Sequence, residues 1–146
     1  MPGDENKAIV RRLLDEVWGR GDVGLVDRLL SSDFVRHGPN SLEGDVRGHD
    51  AFKQLVGMYR TAFPDLQVPA EQQVTDGDVV VTRWTARGTH EGDLVGLAPT
   101  GRPIAVAGVI IDRFSNGQIA EEWATYDSLG LLQQVGAAPA VGAASA

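Results

Sequence analysis

The second half of the chain consists of long runs of β-branched and apolar residues separated by short turns. Residues 79–90 read VVVTRWTARGTH, residues 104–114 read IAVAGVIIDRF, and residues 118–126 read QIAEEWATY. Ser-Asn-Gly at 115–117 joins the last two runs, and Asn-Gly between two such runs is a strong local signal for a β-hairpin. The pattern predicts a sheet of antiparallel strands connected by short turns.

The first half instead places its apolar residues at helical spacing. Residues 5–18 predict one helix, a short second helix follows Asp22, and a third spans about 50–62, before Pro64. A last short helix is expected at 128–134. Helices followed by antiparallel strands predict an α+β domain. A curved antiparallel sheet with the N-terminal helices over its open face forms a cone, whose interior suits a small molecule.

Composition excludes several classes of protein. The 146 residues carry a formal net charge of −7, which argues against a broad nucleic-acid surface. The absence of cysteine excludes disulfides, thiolate zinc sites and cysteine nucleophiles. With no signal-peptide pattern and no apolar run of about 20 residues, we expect a cytoplasmic protein without membrane attachment. One domain is expected over 1–136, followed by a mobile, Ala- and Gly-rich tail over 137–146.

Three stretches carry a recognisable family pattern. They are AFPDL at 62–66, GDVVVTRWTARGTHEGDLVGLAPTGRPI at 77–104 and DRFSNGQIAEEWATYDSLGLLQQVG at 112–136. They resemble the SnoaL-like polyketide cyclases, a branch of the superfamily that shares the cone fold of nuclear transport factor 2. The resemblance implies cofactor-independent ring closure in secondary metabolism such as antibiotic biosynthesis, usually by an intramolecular aldol step. It also implies a homodimer formed through the outer face of the sheet.

The predicted hairpin contains three carboxylates, and their faces depend on its turn. A two-residue turn over Asn116-Gly117 pairs Asp112 with Glu121 and places both on one face. A three-residue loop with Gly117 in a left-handed bulge instead places Asp112 with Glu122, about 7–8 Å apart as diagonal neighbours, and sends Glu121 to the other face. The resemblance favours the bulged turn, because the family's pocket positions share a face only in that register.

The resemblance also reveals a departure from the family pattern. The catalytic aspartate of the aldol cyclases falls at Ala124, its histidine partner at Ile110, and another pocket histidine at Glu122. The remaining candidates are Asp112 and Glu122, a carboxyl pair that can hold one proton near neutral pH in an apolar site. The alternative is a purely structural salt bridge from either carboxylate to Arg83.

Further candidates come from the loops and the expected cavity wall. His37, in FVRHGPN, suits proton transfer at the mouth of the cone, or it fixes the local backbone. Substrate-binding candidates are the side chains expected to line the cone: Tyr59, Phe63, Arg83, Trp84, Ile110 and Ala124. Arg83 and Trp84 compete for the interior, because adjacent strand residues face opposite sides. His90 is expected to hold the glycine-rich loop and His49 to lie at the surface. The histidines lack metal-site spacing.

The leading hypothesis is a cofactor-independent cyclase that folds a polyketide-like substrate in an apolar cone. Glu122, Asp112 and His37 would then give limited acid–base help, in an aldol closure or a cycloaddition. One alternative is an isomerase, or an epoxide hydrolase that combines Asp112, Arg83 and Glu122; another is a binding domain without catalysis. A cyclase for a multi-ring product needs a cavity on the order of 300 Å³ or more.

Overall fold

The structure, a computed structural model, describes residues 2–138. Its α-helices are α1 (Pro2–Arg12), α2 (Val26–Leu29), α3 (Gly48–Ala62) and α4 (Ser128–Gln134). A π-helical segment (Leu13–Trp18) extends α1, and a 3₁₀ turn (Val23–Leu25) precedes α2. Its strands are β1 (Leu30–His37), β2 (Val46–Arg47), β3 (Ala70–Asp76), β4 (Val79–Thr89), β5 (Pro103–Ser115) and β6 (Gln118–Tyr126). Within this part of the chain, no helix is both long and apolar enough to cross a bilayer. Of the predicted tail, residues 139–146 lie outside the described residues.

The six strands form one sheet in the order β2-β1-β6-β5-β4-β3. The α+β class with a curved sheet is confirmed. Neighbouring strands are antiparallel except β1 and β6, which run parallel and bring Arg36 opposite Glu122. The apolar pattern of the first half of the chain predicts helices, so it gave no indication of this strand pair. The parallel pair matters for the site, because it carries a cation from the first half of the chain beside the hairpin carboxylates.

Strict alternation along β5 separates the two faces of the sheet. The even-numbered residues from Ile104 to Phe114 are buried, whereas the odd-numbered residues are partly or fully exposed. Helix α3 packs on the buried face through residues at helical spacing, namely Phe52, Leu55, Val56, Tyr59 and Ala62. An edge-to-face contact between Phe34 and Phe52, with ring centroids 5.4 Å apart, ties β1 to α3. The cone is therefore closed on one side by helices.

The hairpin has the two-residue turn of the first predicted register, but the pairing along its strands matches neither register. Asn116 and Gly117 both have positive φ, 53° and 76°, so they form a two-residue turn that pairs Ser115 with Gln118. Phe114 then pairs with Ile119 but Arg113 pairs with Glu121, so Ala120 is an extra residue in β6. The predicted bulge at Gly117 is therefore wrong, and the extra residue is Ala120, within β6.

This strand bulge sets the faces of the carboxylates. Asp112 and Glu122 lie on the buried face, as the bulged register predicted, and Glu121 lies on the outer face. The predicted diagonal placement is wrong, because Asp112 and Glu122 are direct cross-strand partners. Direct partners have Cα atoms about 4.5–5.5 Å apart, so the two carboxyl groups are closer than predicted.

Candidate active site

A cavity lies between the concave face of the sheet and the helices. Its apolar wall consists of Leu14, Trp18, Phe63, Leu66, Val68, Trp84, Ala86, Ile104, Val106, Ile110 and Leu131. Its polar groups belong to Arg36, Tyr59, Glu122 and Tyr126. The cavity volume is about 80 Å³, well below the roughly 300 Å³ expected for a cyclase of multi-ring substrates. In this conformation the cavity admits only part of such a substrate.

Trp84 enters the cavity because β5 has no side chain beneath it. A Cβ atom at Gly108 would lie 2.2 Å from Cζ2 of Trp84, so only glycine lets the indole lie across β5. Trp84 is 8% exposed, and its Nε1 has no hydrogen-bond partner among residues 2–138. A buried N–H without a partner is costly, so this donor is available to a carbonyl group of a bound ligand.

Arg36 is the buried cation of the site. It is 5% exposed, its Nε lies 3.3 Å from an Oε atom of Glu122, and its Nη1 donates to Glu43. Burial alone lowers the pKa of Arg36, but the charges of Glu122 and Glu43 outweigh burial and raise that pKa above its ordinary value. Arg36 therefore remains positive inside the cone, where a cation is rare unless it is paired.

Two tyrosine hydroxyls lie next to the same glutamate. Tyr59 donates to Oε1 of Glu43 at 2.7 Å, and the hydroxyls of Tyr59 and Tyr126 are 2.6 Å apart. The hydroxyl of Tyr126 lies 3.2 Å from the same Oε1 atom. Burial, followed by the charge of Glu43, raises the pKa of both phenols, so both remain neutral hydrogen-bond donors.

Asp112 is the most unusual carboxyl group of the site. It is fully buried, and within the described residues neither of its oxygens has a hydrogen-bond partner. Burial, and then the negative charge of Glu122, raise the pKa of Asp112 well above its ordinary value, with only Arg36 acting in the opposite direction. The neutral form of Asp112 is therefore favoured next to Glu122. A neutral carboxyl group beside a second carboxyl group can serve in an acid–base pair.

Comparison with known proteins identifies the family. The family model described as SnoaL-like polyketide cyclase matches residues 8–135. The chain belongs to this family. Nogalonic acid methyl ester cyclase from Streptomyces nogalater is 32% identical over 113 residues, which cover 76% of this chain and 83% of that protein. Aklanonic acid methyl ester cyclase DnrD from Streptomyces peucetius is 26% identical over 129 residues, which cover 88% of each.

The solved structures agree with this assignment. A candidate polyketide cyclase from Acidithiobacillus ferrooxidans has a TM-score of 0.81 and 28% identity, with 90% of this chain and 94% of that chain covered. The predicted resemblance is confirmed, and so is the prediction of a cyclase.

Within this SnoaL-like cone, five of the predicted site residues line the cavity. They are Tyr59, Phe63, Trp84, Ile110 and Glu122. Asp112 is buried beside Glu122 and is not part of the cavity wall. Ala124 pairs with Ile110 on the same face and is 4% exposed. The positions at which the resemblance implies an aspartate and a histidine are thus an apolar pair, and the next pair along the hairpin is the two carboxyls.

Two predicted site residues lie on the opposite, outer face of the sheet. Arg83 is exposed and contacts Glu71 and Gln72 on the neighbouring strand, because its neighbour Trp84 takes the interior. His37 lies on the outer face, where its Nε2 is 2.7 Å from Glu121. The hydrogen bond from His37 is the first cause that lowers the pKa of Glu121. The proposed salt bridge to Arg83 is replaced by one to Arg36.

The other two histidines have structural contacts. His90 is fully buried with its Nδ1 3.1 Å from Oγ1 of Thr100, in the loop it was expected to hold. His49 is half-buried and not simply at the surface, since its Nε2 is 2.9 Å from the carbonyl oxygen of Leu30. Among residues 2–138, no three acidic or histidine side chains are grouped as a metal site requires.

Sequence reasoning missed three polar residues of the site. Tyr126 follows Glu122 and Ala124 at the period of a strand, so alternation alone could have placed it on the cavity face. Arg36 alternates in the same way with Phe34, once β1 is recognised as a strand. Glu43 has no comparable signal, because it belongs to the irregular loop 38–45 between β1 and β2.

Proposed function

We propose that this chain is a cofactor-independent cyclase that closes a ring in a polyketide-like substrate, with Glu122 as the catalytic acid and base. The observation that carries this proposal is that Glu122, in the wall of an apolar cavity, lies directly opposite the buried Asp112, whose pKa is raised. Among the described residues, Glu122 is the one carboxyl side chain in that wall. The family membership and the named cyclases among the relatives support the same reaction class.

The chemistry would be an aldol closure whose acid–base group lies one residue pair further along the hairpin than the resemblance implies. The apolar pair Ile110 and Ala124 occupies the positions that the resemblance assigns to the acid–base groups. Glu122 lies two residues from Ala124, which is about 7 Å along a strand. The carboxylate of Glu122 takes a proton from a carbon between two carbonyl groups, and that carbon attacks a third carbonyl carbon. The new alkoxide then takes a proton, which Glu122 returns.

The surrounding groups suit the charges that develop in this step. Arg36 remains positive next to Glu122 and can stabilise an enolate, and the hydroxyl of Tyr126 is a neutral donor at the same wall. The free Nε1 of Trp84 can bind a carbonyl oxygen of the substrate. The epoxide-hydrolase arrangement of Asp112, Arg83 and Glu122 is not formed, because Arg83 is on the outer face.

A cyclisation assay tests the proposal directly. The purified protein is incubated with nogalonic acid methyl ester or aklanonic acid methyl ester, the compounds named for its relatives. We expect a product of unchanged mass with a new ring, separated by chromatography and identified by mass spectrometry and NMR. A free acid, lighter by one CH₂ because methanol is released from the methyl ester, would indicate a hydrolase. Saturable binding without any product would indicate a binding domain, and either result would overturn the proposal.

The outer face of the sheet supports a second, coarser proposal, that the chain forms a homodimer. Ile111 and Trp123 are cross-strand partners there and are 37% and 40% exposed. Adjacent exposed apolar side chains on one face of a sheet are typical of an interface. We expect Trp123→Glu to raise the dimer dissociation constant by a factor of about 10 or more in sedimentation equilibrium. The control Leu129→Glu replaces an exposed leucine on α4, the helix whose Leu131 lines the cavity on the opposite side of the sheet, and should leave the constant unchanged. An unaltered constant for Trp123→Glu would contradict this interface.

A further inference from the structure

Glu43 reaches the site from an unexpected direction. It belongs to loop 38–45, yet its side chain is only 7% exposed. Its carboxylate accepts hydrogen bonds from Arg36 and Tyr59 and lies within hydrogen-bond distance of the Tyr126 hydroxyl. All three of these partners line the cavity, whereas Glu43 does not. Glu43, a loop residue, therefore binds hydrogen-bond donors that would otherwise be available to a ligand in the cavity.

The three donors form a receptor for a planar anion with two oxygens. Arg36 binds one oxygen of the Glu43 carboxylate, and the two phenols bind the other. A guanidinium group and neutral hydroxyls that converge on two oxygens recognise any delocalised anion of this shape. A carboxylate has this shape, and so does the enolate of a 1,3-dicarbonyl compound, in which two oxygens share one negative charge.

Loop 38–45 is held largely by bonds within itself. Ser41 donates to the carbonyl oxygen of Gly38 and accepts from the backbone N–H of Gly44, at 2.6 and 3.0 Å. Among the described residues, and apart from Glu43, its side-chain-mediated hydrogen bonds to the later part of the chain are that of the Leu42 N–H to Tyr126 and that of Ser128 to the carbonyl oxygen of Asn40. Leu42 also packs against the core. A loop with its own internal bonds can move as a unit when a few outer contacts break.

The size of the cavity also supports a movement of loop 38–45. At about 80 Å³ it is too small for a multi-ring substrate. Withdrawal of loop 38–45 would remove Glu43 from the three donors and extend the cavity toward the space beneath the loop. The same movement would therefore enlarge the site and expose its anion-binding groups.

We propose that Arg36, Tyr59 and Tyr126 form an anion subsite that Glu43 occupies in the free protein, and that the substrate's 1,3-dicarbonyl enolate or carboxylate replaces Glu43 there. The identity of the substrate rests on the proposed cyclase function, but the subsite itself does not. An added anion can bind only those molecules in which Glu43 has left the subsite, so its apparent affinity is reduced in proportion to their fraction. Removing the charge of Glu43 should therefore strengthen the binding of anions and leave the binding of matched neutral compounds unchanged.

The test measures binding of two matched probe pairs by titration calorimetry at pH 8. The first pair is 2-naphthoate and its neutral methyl ester, and the second is the enolate of 1,3-cyclohexanedione and its neutral methyl enol ether. We expect Glu43→Gln, which keeps the side-chain volume, to tighten at least one anion about tenfold and each neutral partner less than about twofold. The matched control Glu71→Gln removes an exposed carboxylate that contacts Arg83, and it should change none of the four affinities.

The pattern of gains identifies the ligand or overturns the subsite. A gain for the carboxylate alone or for the enolate alone supports the subsite and names the anion it prefers. Equal gains for anion and neutral partner would show that Glu43 is merely a steric cover, and no gain would show that it does not compete; both results overturn the proposal. Glu43→Ala provides a second variant if Glu43→Gln does not fold. Because no probe reacts, the outcome is independent of the cyclisation assay.

Discussion

Replacing Glu122 by glutamine is expected to lower the turnover number of the cyclisation by a factor of about 10²–10⁴, the range of a lost general acid–base group. The amide keeps the shape of the side chain, and its oxygen can still accept from Arg36, which lies 3.3 Å from the native carboxylate. The Michaelis constant should therefore change little, since the variant loses a proton acceptor and not a contact. Steady-state kinetics on the substrate that the cyclisation assay identifies measures both constants.

The adjacent residue gives a matched control for this experiment. Glu121 has the same side chain but lies on the outer face, where it contacts His37 and Arg113. Glu121→Gln should leave the turnover number unchanged. If Glu122→Gln is folded and equally active, the enzyme works by holding the substrate in a reactive shape, and Glu122 is neither acid nor base. Glu121 and Glu122 are adjacent in β6 and face opposite sides of the sheet, so a shift of one residue in register would exchange the expected effects of the two substitutions.

The fold could be predicted largely from local patterns. The period of the apolar residues located the helices at 5–18 and 50–62, and the turn signals located the β4–β5–β6 meander. Both features depend on neighbours in sequence, so the sequence displays them directly. The pairing of β1 with β6 joins residues more than 80 positions apart, and no local pattern in either strand requires it. Arg36 was missed for this reason.

The faces of the hairpin carboxylates were predicted correctly, but the bulge that sets these faces was predicted at the wrong residue. The resemblance required Asp112 and Glu122 to share a face, and a bulge in the turn was the simplest way to achieve it. The chain places the extra residue at Ala120 instead, within β6. A bulge at an alanine has no strong sequence signal, whereas Asn116-Gly117 is a strong signal for the two-residue turn that is observed. With the bulge at Ala120, the two-residue turn that Asn116-Gly117 indicates is compatible with the shared face of Asp112 and Glu122 that the resemblance indicates.

The loop residues of the site lie beyond sequence reasoning of this kind. Glu43 lies among serine and glycine residues, a context that usually indicates a solvated loop. Its burial follows from three partners, Arg36, Tyr59 and Tyr126, which come from three separate elements. Such a cluster is defined only when all of these elements are in place, so no single stretch predicts it.

Replacing Asp112 by asparagine is expected to stabilise the fold at pH 8, by about 1–3 kcal/mol in the free energy of unfolding, because at that pH the unfolded aspartate is ionised and folding must protonate it or bury its charge, whereas the amide is always neutral. For a domain of this size that corresponds to a rise in Tm of about 2–4 °C per kcal/mol. The neutral amide imitates the protonated acid and removes the cost of ionising a group next to Glu122. Urea unfolding at several pH values measures the difference.

The sign of the pH dependence follows from the raised pKa of Asp112 in the folded protein. In the unfolded chain an aspartate titrates near about 3.9. Below that pH both states hold the proton, and the two proteins should differ least. As the pH rises toward the higher folded pKa, the unfolded chain gives up its proton first, so the native protein loses stability that the Asp112→Asn variant keeps. The advantage of the variant should therefore grow between pH 4 and the folded pKa.

Glu121→Gln gives a control of opposite sign in the same experiment. Its pKa is lowered, first by the hydrogen bond from His37, so its charge stabilises the fold at neutral pH and the variant should lose that stability. A stability advantage of Asp112→Asn that does not change with pH would show that Asp112 carries no raised pKa. If the variant is both more stable and slower in turnover, the chain keeps a destabilising carboxyl group because Glu122 needs its proton. If it is more stable and equally fast, Glu122 acts without Asp112.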